Sequence, residues 1–220
     1  MSQENKEMEV SEVENKEVVE EVKEEKPLKK KINLPNKITI CRMIIVIAII
    51  VLALLPRPDS WVFDIFGIKH DYRSISILVL FIVGSVSDWL DGYLARKHNL
   101  VTTFGKFMDP IADKLLVNTL FIIASAGGLI HFIVPIIMIA RDTVVDAIRM
   151  IAVGEGKVIA ASKLGKLKTV TQMIALIAIL AFTTVPYIEI LAYVAGVASL
   201  VSGVDYFMKN RHTILKDLRS

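Results

Sequence analysis

The sequence predicts an all-α integral membrane protein of six transmembrane helices with both termini cytoplasmic, and three observations carry this. Of the 220 residues, 54% are hydrophobic and only 7% aromatic, with a mean hydropathy of +0.55, high for a water-soluble domain. The apolar residues gather into six runs, each close to the roughly 20 residues needed to span a ~30 Å hydrocarbon layer. The connections between those runs alternate between rich and poor in Lys and Arg.

Residues 1–27 precede the first run and differ in character. Residues 1–25 hold ten Glu against three Lys, so the rest of the chain carries ten more cationic than acidic side chains. The stretch "MSQENKEMEVSEVENKEVVEEVKEEK" has the composition of a solvated acidic tail, disordered or transiently helical. It is not expected to be a signal peptide, because no apolar core follows a basic start within it. Residues 28–220 form the membrane domain. The single cysteine, Cys41, excludes an intramolecular disulfide framework and a cysteine-based metal site.

The six runs lie at about 38–56, 74–97, 107–127, 130–153, 166–185 and 187–208. Pro56 and Pro58, the pair Gly127-Gly128, Gly154 with Gly156, and Pro186 mark the breaks between them. The second, third and fourth runs carry charges toward one end. Lys29, Lys30, Lys31 and Lys37 flank the start of the first run. Arg96, Lys97 and Lys106 separate the second and third, and Lys157, Lys163, Lys166 and Lys168 the fourth and fifth. Lys209, Arg211, Lys216 and Arg219 follow the sixth. The alternate connections hold only Arg57, Lys69 and Arg73. By the positive-inside rule the basic connections and both termini face the cytoplasm, which requires an even number of spans.

Four aspartates sit inside this apolar context. Asp88 and Asp91 are three apart and Asp109 and Asp113 four apart, so each pair occupies one face of its helix. The short connection containing Asn99, Thr102 and Thr103 makes the two helices antiparallel neighbours, with the pairs facing each other. Carboxylates near lipid are costly unless paired or functional, and four together repel. Oxygen-only ligation with no His or Cys beside it favours Mg²⁺ or Mn²⁺. Two such ions between carboxylates clamp the attacking and leaving oxygens of a phosphoryl transfer. Gly92 and Gly105 leave room for a bulky ligand, and Arg96 offers a planar, permanent cation to a phosphate. Asp109-Pro110 frees or kinks backbone beside the acids. Two other readings stand beside this one: edge salt bridges with Arg96, Lys97, Lys106 and Lys114, and a proton or cation pathway through a transporter. The interleaved glycines and arginine favour phosphoryl chemistry.

The pattern Asp88-x2-Asp91-Gly92-x2-Ala95-Arg96-x8-Gly105-x3-Asp109-x3-Asp113 resembles, without gap or substitution, the signature of the CDP-alcohol phosphotransferases. The resemblance implies six membrane helices, a cytoplasm-facing site and a homodimer. It implies that Asp88, Asp91, Asp109 and Asp113 hold two divalent cations and that Asp113 is also the general base for the attacking hydroxyl. Gly92, Ala95, Arg96 and Gly105 would cradle the CDP moiety of CDP-diacylglycerol. Asn36, Thr39 and Arg42 recur at three-residue steps on one face of the first span. They suit hydrogen bonds to cytidine or phosphate, or simple capping, and Asn36 and Thr39 are assigned to the CDP site.

Two further stretches, "NLPNKITICR" (33–42) and "ARDTVVDAIRMIAVGEGKVIAASKLGKLKTVTQ" (140–172), resemble the branch of that family whose acceptor is glycerol 3-phosphate. Other branches take phosphatidylglycerol or an inositol phosphate. One departure is Asp142, where the branch usually carries glutamate: the charge is kept and the reach shortened. A phosphorylated acceptor needs cations beyond those serving CDP. Arg141 and Arg149 lie eight apart on the fourth span, and Lys163, Lys166 and Lys168 precede or open the fifth. These five form the expected acceptor-phosphate site, although topology alone also explains the lysines. The fifth and sixth spans, including Tyr193 and Tyr206, read as packing or lipid contact.

Overall fold

The computed structural model describes residues 34–56, 62–65, 68–97, 103–154 and 162–217, with single positions at 156 and 159. The expected acidic tail, residues 1–27, and the connection 98–102 lie outside the described residues, as do the side chains of 89–92 and 94–97. Six helices run in order among the described residues: α1 (Leu34–Leu54), α2 (Tyr72–Lys97), α3 (Thr103–Ala126), α4 (Ile133–Gly154), α5 (Lys163–Ala181) and α6 (Ile190–Asp217). Each takes up one of the six expected runs. Helix α1 begins four residues before its run, since Pro35 suits a first turn where its missing N–H costs nothing. Helix α6 continues nine residues past its expected end, because nothing in "KNRHTILKD" breaks a helix.

An antiparallel hairpin, β1 (Val62–Ile65) and β2 (Ile68–Asp71), was not anticipated between α1 and α2. It pairs Val62 with Asp71 and Phe63 with His70, and a Gly-containing pair, Phe66-Gly67, separates the strands in sequence, a common hairpin spacing. The hairpin ties three helix ends together. Buried His70 places Nδ1 2.9 Å from the carbonyl oxygen of Ala181, the last residue of α5. Asp71 caps α2, accepting from the Arg73 backbone N–H at 3.3 Å and the Ser74 hydroxyl at 3.1 Å. Arg73 donates to the carbonyls of Ala53 and Leu55 at 3.0 and 3.2 Å, satisfying the open C-terminus of α1. The ring of Phe63 stacks on His70 at 5.6 Å. At the same end α3 closes in a Schellman turn, with Gly128 at φ 74°, Leu129 N–H bonded to Ala124 and Gly128 N–H to Ser125.

The bundle is apolar inside and out. Its core is built from Val46, Ile49, Phe81, Leu116, Leu120, Phe121, Met138, Leu176 and Ile179. Its outer surface exposes Ile47 of α1, Val83 of α2, Ile122 of α3, Ile136 of α4, Ile174 of α5 and Val204 of α6. Large side chains left outside on every helix suit hydrocarbon and not water, and the molecule is a membrane protein. Among the described residues three helices are long and apolar enough to cross a membrane by length and composition: Asn36–Leu54, Lys163–Ala181 and Ile190–His212. Helices α2, α3 and α4 are as long, but they carry the charges described below, which lowers their apolarity.

Helix α1 packs along both α2 and α3, and α6 along both α4 and α5; α2, α3 and α5 join the two halves. The two aspartate helices touch each other less than each touches α1, so α1 stands as a third wall. Gly84 permits this closeness: a Cβ there would meet Leu116 Cδ2 at 3.2 Å, Ile45 Cγ2 at 3.8 Å and Arg42 Cγ at 3.9 Å. Gly84→Leu is expected to cost about 1–3 kcal/mol by overpacking, read as a lowered unfolding temperature in detergent, with Gly128→Ala as a comparison that strains a turn without crowding this crossing.

Candidate active site

The inward face of α1 follows helical spacing: Thr39, Arg42, Val46 and Ile49 are all buried. Its apolar half joins the core, and its polar half reaches the aspartates. Thr39 donates its hydroxyl proton to Asp109 Oδ1 on α3 at 2.5 Å. Arg42, whose side chain is fully buried, forms an ion pair with Asp88 on α2, itself 40% exposed. Asp113, half-buried one turn beyond Asp109, stands in the electrostatic field of Asp88, Arg42, Lys168 and Asp142. Carboxylates from α2 and α3 are thus gathered at one end of the bundle, held there by α1. Gly105 is buried in the first turn of α3, and Asn36 is half-buried in the first turns of α1. Asp91, Gly92, Ala95 and Arg96 lie on the last two turns of α2, with their side chains outside the described residues.

A second charged cluster sits where α4, α5 and α6 meet. Lys168 donates to both carboxylate oxygens of Asp142, at 2.8 and 3.0 Å. Arg141 donates to Asp142 Oδ1 at 3.0 Å and to Ser202 Oγ at 2.8 Å. Arg141 and Lys168, both expected at the acceptor site, are therefore brought together on one acid. Arg149 goes elsewhere: its Nε donates to the Tyr206 hydroxyl at 3.2 Å, and its guanidinium lies 5.6 Å from that ring. Lys163 is exposed and lines a cavity of about 400 Å³ with Ser162, Tyr206, Lys209 and Asn210. Lys166 is exposed on the first turn of α5. The five cations thus divide into a pair on Asp142, with Lys168 buried and Arg141 partly so, and three that are not on that acid.

The donor chemistry of the quartet suits a hard divalent cation: carboxylate oxygens with no His or Cys among the signature positions. Among the described residues no three His, Cys, Asp or Glu side chains form a ligating group, and the fourth carboxylate, Asp91, is outside them. Thr39 and Arg42 hold Asp109 and Asp88 in place.

A sequence model of the CDP-alcohol phosphatidyltransferase family matches residues 32–204. The chain belongs to the CDP-alcohol phosphatidyltransferase family. Among its relatives, a Bacillus subtilis protein is 40% identical, covering 81% of this chain and 95% of its own. A Haemophilus influenzae protein is 36% identical over 86% and 99%, and one from Rickettsia typhi 34% over 80% and 95%. All three are named CDP-diacylglycerol--glycerol-3-phosphate 3-phosphatidyltransferase.

Within this CDP-alcohol phosphatidyltransferase fold the signature occupies the facing ends of α2 and α3. The structure adds residues that the sequence reading left aside. Arg42, which suits a cytidine or phosphate contact as well as a cap, forms an ion pair with Asp88. Lys114, which belongs to the disfavoured reading of edge salt bridges, pairs with Asp146 on α4, a residue not singled out. Tyr206, taken for packing or lipid contact, is buried and holds Arg149, whereas Tyr193 is 41% exposed, as that reading expects. Ser199, Ser202 and Tyr206 form a buried stripe on α6 at spacings of three and four. Such a polar stripe in an apolar span is the sequence signal that would have marked α6 as a wall of the charged cluster.

Proposed function

We propose that this chain transfers the phosphatidyl group of CDP-diacylglycerol to the 1-hydroxyl of sn-glycerol 3-phosphate and releases CMP. The intact eight-residue signature within a chain 40% identical to a near-full-length relative of that name carries the proposal. All six helices span the membrane in this proposal, with both termini and the aspartate end cytoplasmic, as the alternation of basic connections supports. It acts as a homodimer, as the family resemblance implies. The acidic tail, residues 1–27, is a separate unit without a part in the chemistry.

Asp88, Asp91, Asp109 and Asp113 are the residues that would hold two divalent cations, Mg²⁺ or Mn²⁺, which when bound neutralise pyrophosphate and leaving-group charge. Arg42 offsets part of the quartet's charge and fixes Asp88. Thr39 orients Asp109. Gly92, Ala95, Arg96, Gly105 and Asn36 line the place of the CDP moiety. Asp113 takes the proton from the acceptor hydroxyl, whose oxygen bonds to the lipid-side phosphorus as the bond to the CMP oxygen breaks. Its position on the inward face of α3, in the field of Asp88 and Lys168, suits a base that meets both substrates. Arg141 and Lys168 bind the acceptor's phosphate, with Arg149, Lys163 and Lys166 along its approach.

Purified protein given CDP-diacylglycerol and Mg²⁺ is expected to release CMP with glycerol 3-phosphate. Phosphatidylglycerol and inositol phosphate are expected to leave CMP at background. Release with either of those and none with glycerol 3-phosphate replaces the acceptor. Cation or proton flux in liposomes without CMP release would favour a transporter.

A further inference from the structure

We infer that Asp142 is the positioning residue that makes Arg141 and Lys168 into a single binding site for the acceptor's phosphate, an inference that rests on glycerol 3-phosphate being the acceptor. Asp142 is 4% exposed, and its carboxylate accepts from both cations, with Oδ1 shared between them. Adjacent residues on a helix do not face each other, so Arg141 reaches Asp142 only by folding its guanidinium back along α4. One glycine on another helix makes room for that bend, and a second lies in ordinary contact with it. A Cβ on Gly203 of α6 would lie 2.8 Å from Arg141 Cγ, which excludes any other residue there without displacing the arginine. A Cβ on Gly165 of α5 would lie 3.3 Å from Ser162 Oγ and 3.8 Å from Arg141 Nη2.

Stability is a poor explanation for this assembly. A buried ion pair generally repays little more than its own desolvation, and apolar replacements of such clusters are often neutral or stabilising. Here two cations share one anion, and Asp113 is a further carboxylate that acts on Lys168. Arg141 Nε is moreover buried without a hydrogen-bond partner among the described residues. A buried donor without a partner calls for an acceptor oxygen. Asp142 and Lys168 act electrostatically on Asp113, so an anion bound to this cluster lies within the field of the proposed base. A phosphate monoester with a free hydroxyl is the chemistry that fits.

The experiment compares full-length protein with Asp142→Asn, Asp142→Glu and Ser202→Ala, using glycerol 3-phosphate and unphosphorylated glycerol as acceptors. Asp142→Asn is expected to raise KM for glycerol 3-phosphate at least 10-fold while KM for CDP-diacylglycerol stays within 2-fold. The preference for glycerol 3-phosphate over glycerol should shrink by a similar factor. A purely structural role would lower turnover of both acceptors together. Asp142→Glu is expected to recover most of the loss, since the charge returns on a longer arm. Ser202→Ala, which frees one end of Arg141 without altering charge, is expected to raise the same KM about 3-fold, and it stands as the test if Asp142→Asn does not fold. An unchanged or lowered KM for glycerol 3-phosphate in Asp142→Asn, or in Ser202→Ala where that variant stands in, overturns the inference while leaving the acceptor assignment intact. Failure of the wild type to turn over glycerol 3-phosphate overturns the acceptor assignment, and this inference with it.

Discussion

Asp113→Asn is expected to lower CMP release by roughly 10²–10⁴-fold, the range associated with a positioned general base. Asparagine has nearly the same shape, so the surrounding helix should keep its packing. Ala112, Leu116 and Val117, the neighbours of Asp113 on α3, are all buried and set the helix rotation that aims residue 113 inward. What the substitution removes is the negative charge and the capacity to accept a proton. Asp109→Asn separates the two proposed roles of these acids. Asp109 is held by Thr39 and is proposed only as a ligand, so its variant should regain much of its activity at raised Mg²⁺. Asp113→Asn should not recover under the same conditions. Near wild-type turnover by Asp113→Asn at neutral pH would remove the base assignment, and full rescue by Mg²⁺ would reduce Asp113 to a ligand alone.

Chelation is expected to abolish turnover completely, with activity restored by Mg²⁺ or Mn²⁺ and poorly by Ca²⁺. Four carboxylates with Arg42 as a compensating cation leave a net negative site, costly beside hydrocarbon until a divalent ion enters. The smaller cations favour near-octahedral oxygen sets at about 2.0–2.1 Å, whereas Ca²⁺ takes more ligands at about 2.3–2.6 Å and fits a compact quartet less well. Activity assayed after EDTA treatment and metal-by-metal addition measures this directly. Melting temperature should rise with added Mg²⁺ in the same series, because an ion that binds only the folded state stabilises it. Turnover that persists at full chelation would sink the metal proposal.

Helix number and order were legible because a chain entering hydrocarbon must satisfy its backbone internally, which leaves long apolar runs broken by Gly and Pro. The aspartate quartet was legible for a related reason: charges are rare in such runs, so their spacing stands out against the apolar background. The hairpin 62–71 escaped notice because its strands are four residues long and half-polar. Two such short strands give little periodic signal. The pairing of Lys114 with Asp146, 32 residues away on another helix, leaves no trace in the local sequence.

Residue spacing within α2 and α3 was enough to name the acids and the chemistry they suit, since helical geometry alone puts positions three and four apart on one face. It was silent on how six helices lie against one another. Packing of α1 between the aspartate helices makes Thr39 and Arg42 partners of Asp109 and Asp88. The meeting of α4, α5 and α6 puts Arg141 and Lys168 on Asp142 and sends Arg149 to Tyr206. These pairings join residues 26 to 70 positions apart, with Arg141 and Asp142 the one local pair. Local sequence carries no signal for contacts at that separation, and close approach at Gly84 and Gly203 helps to bring them about.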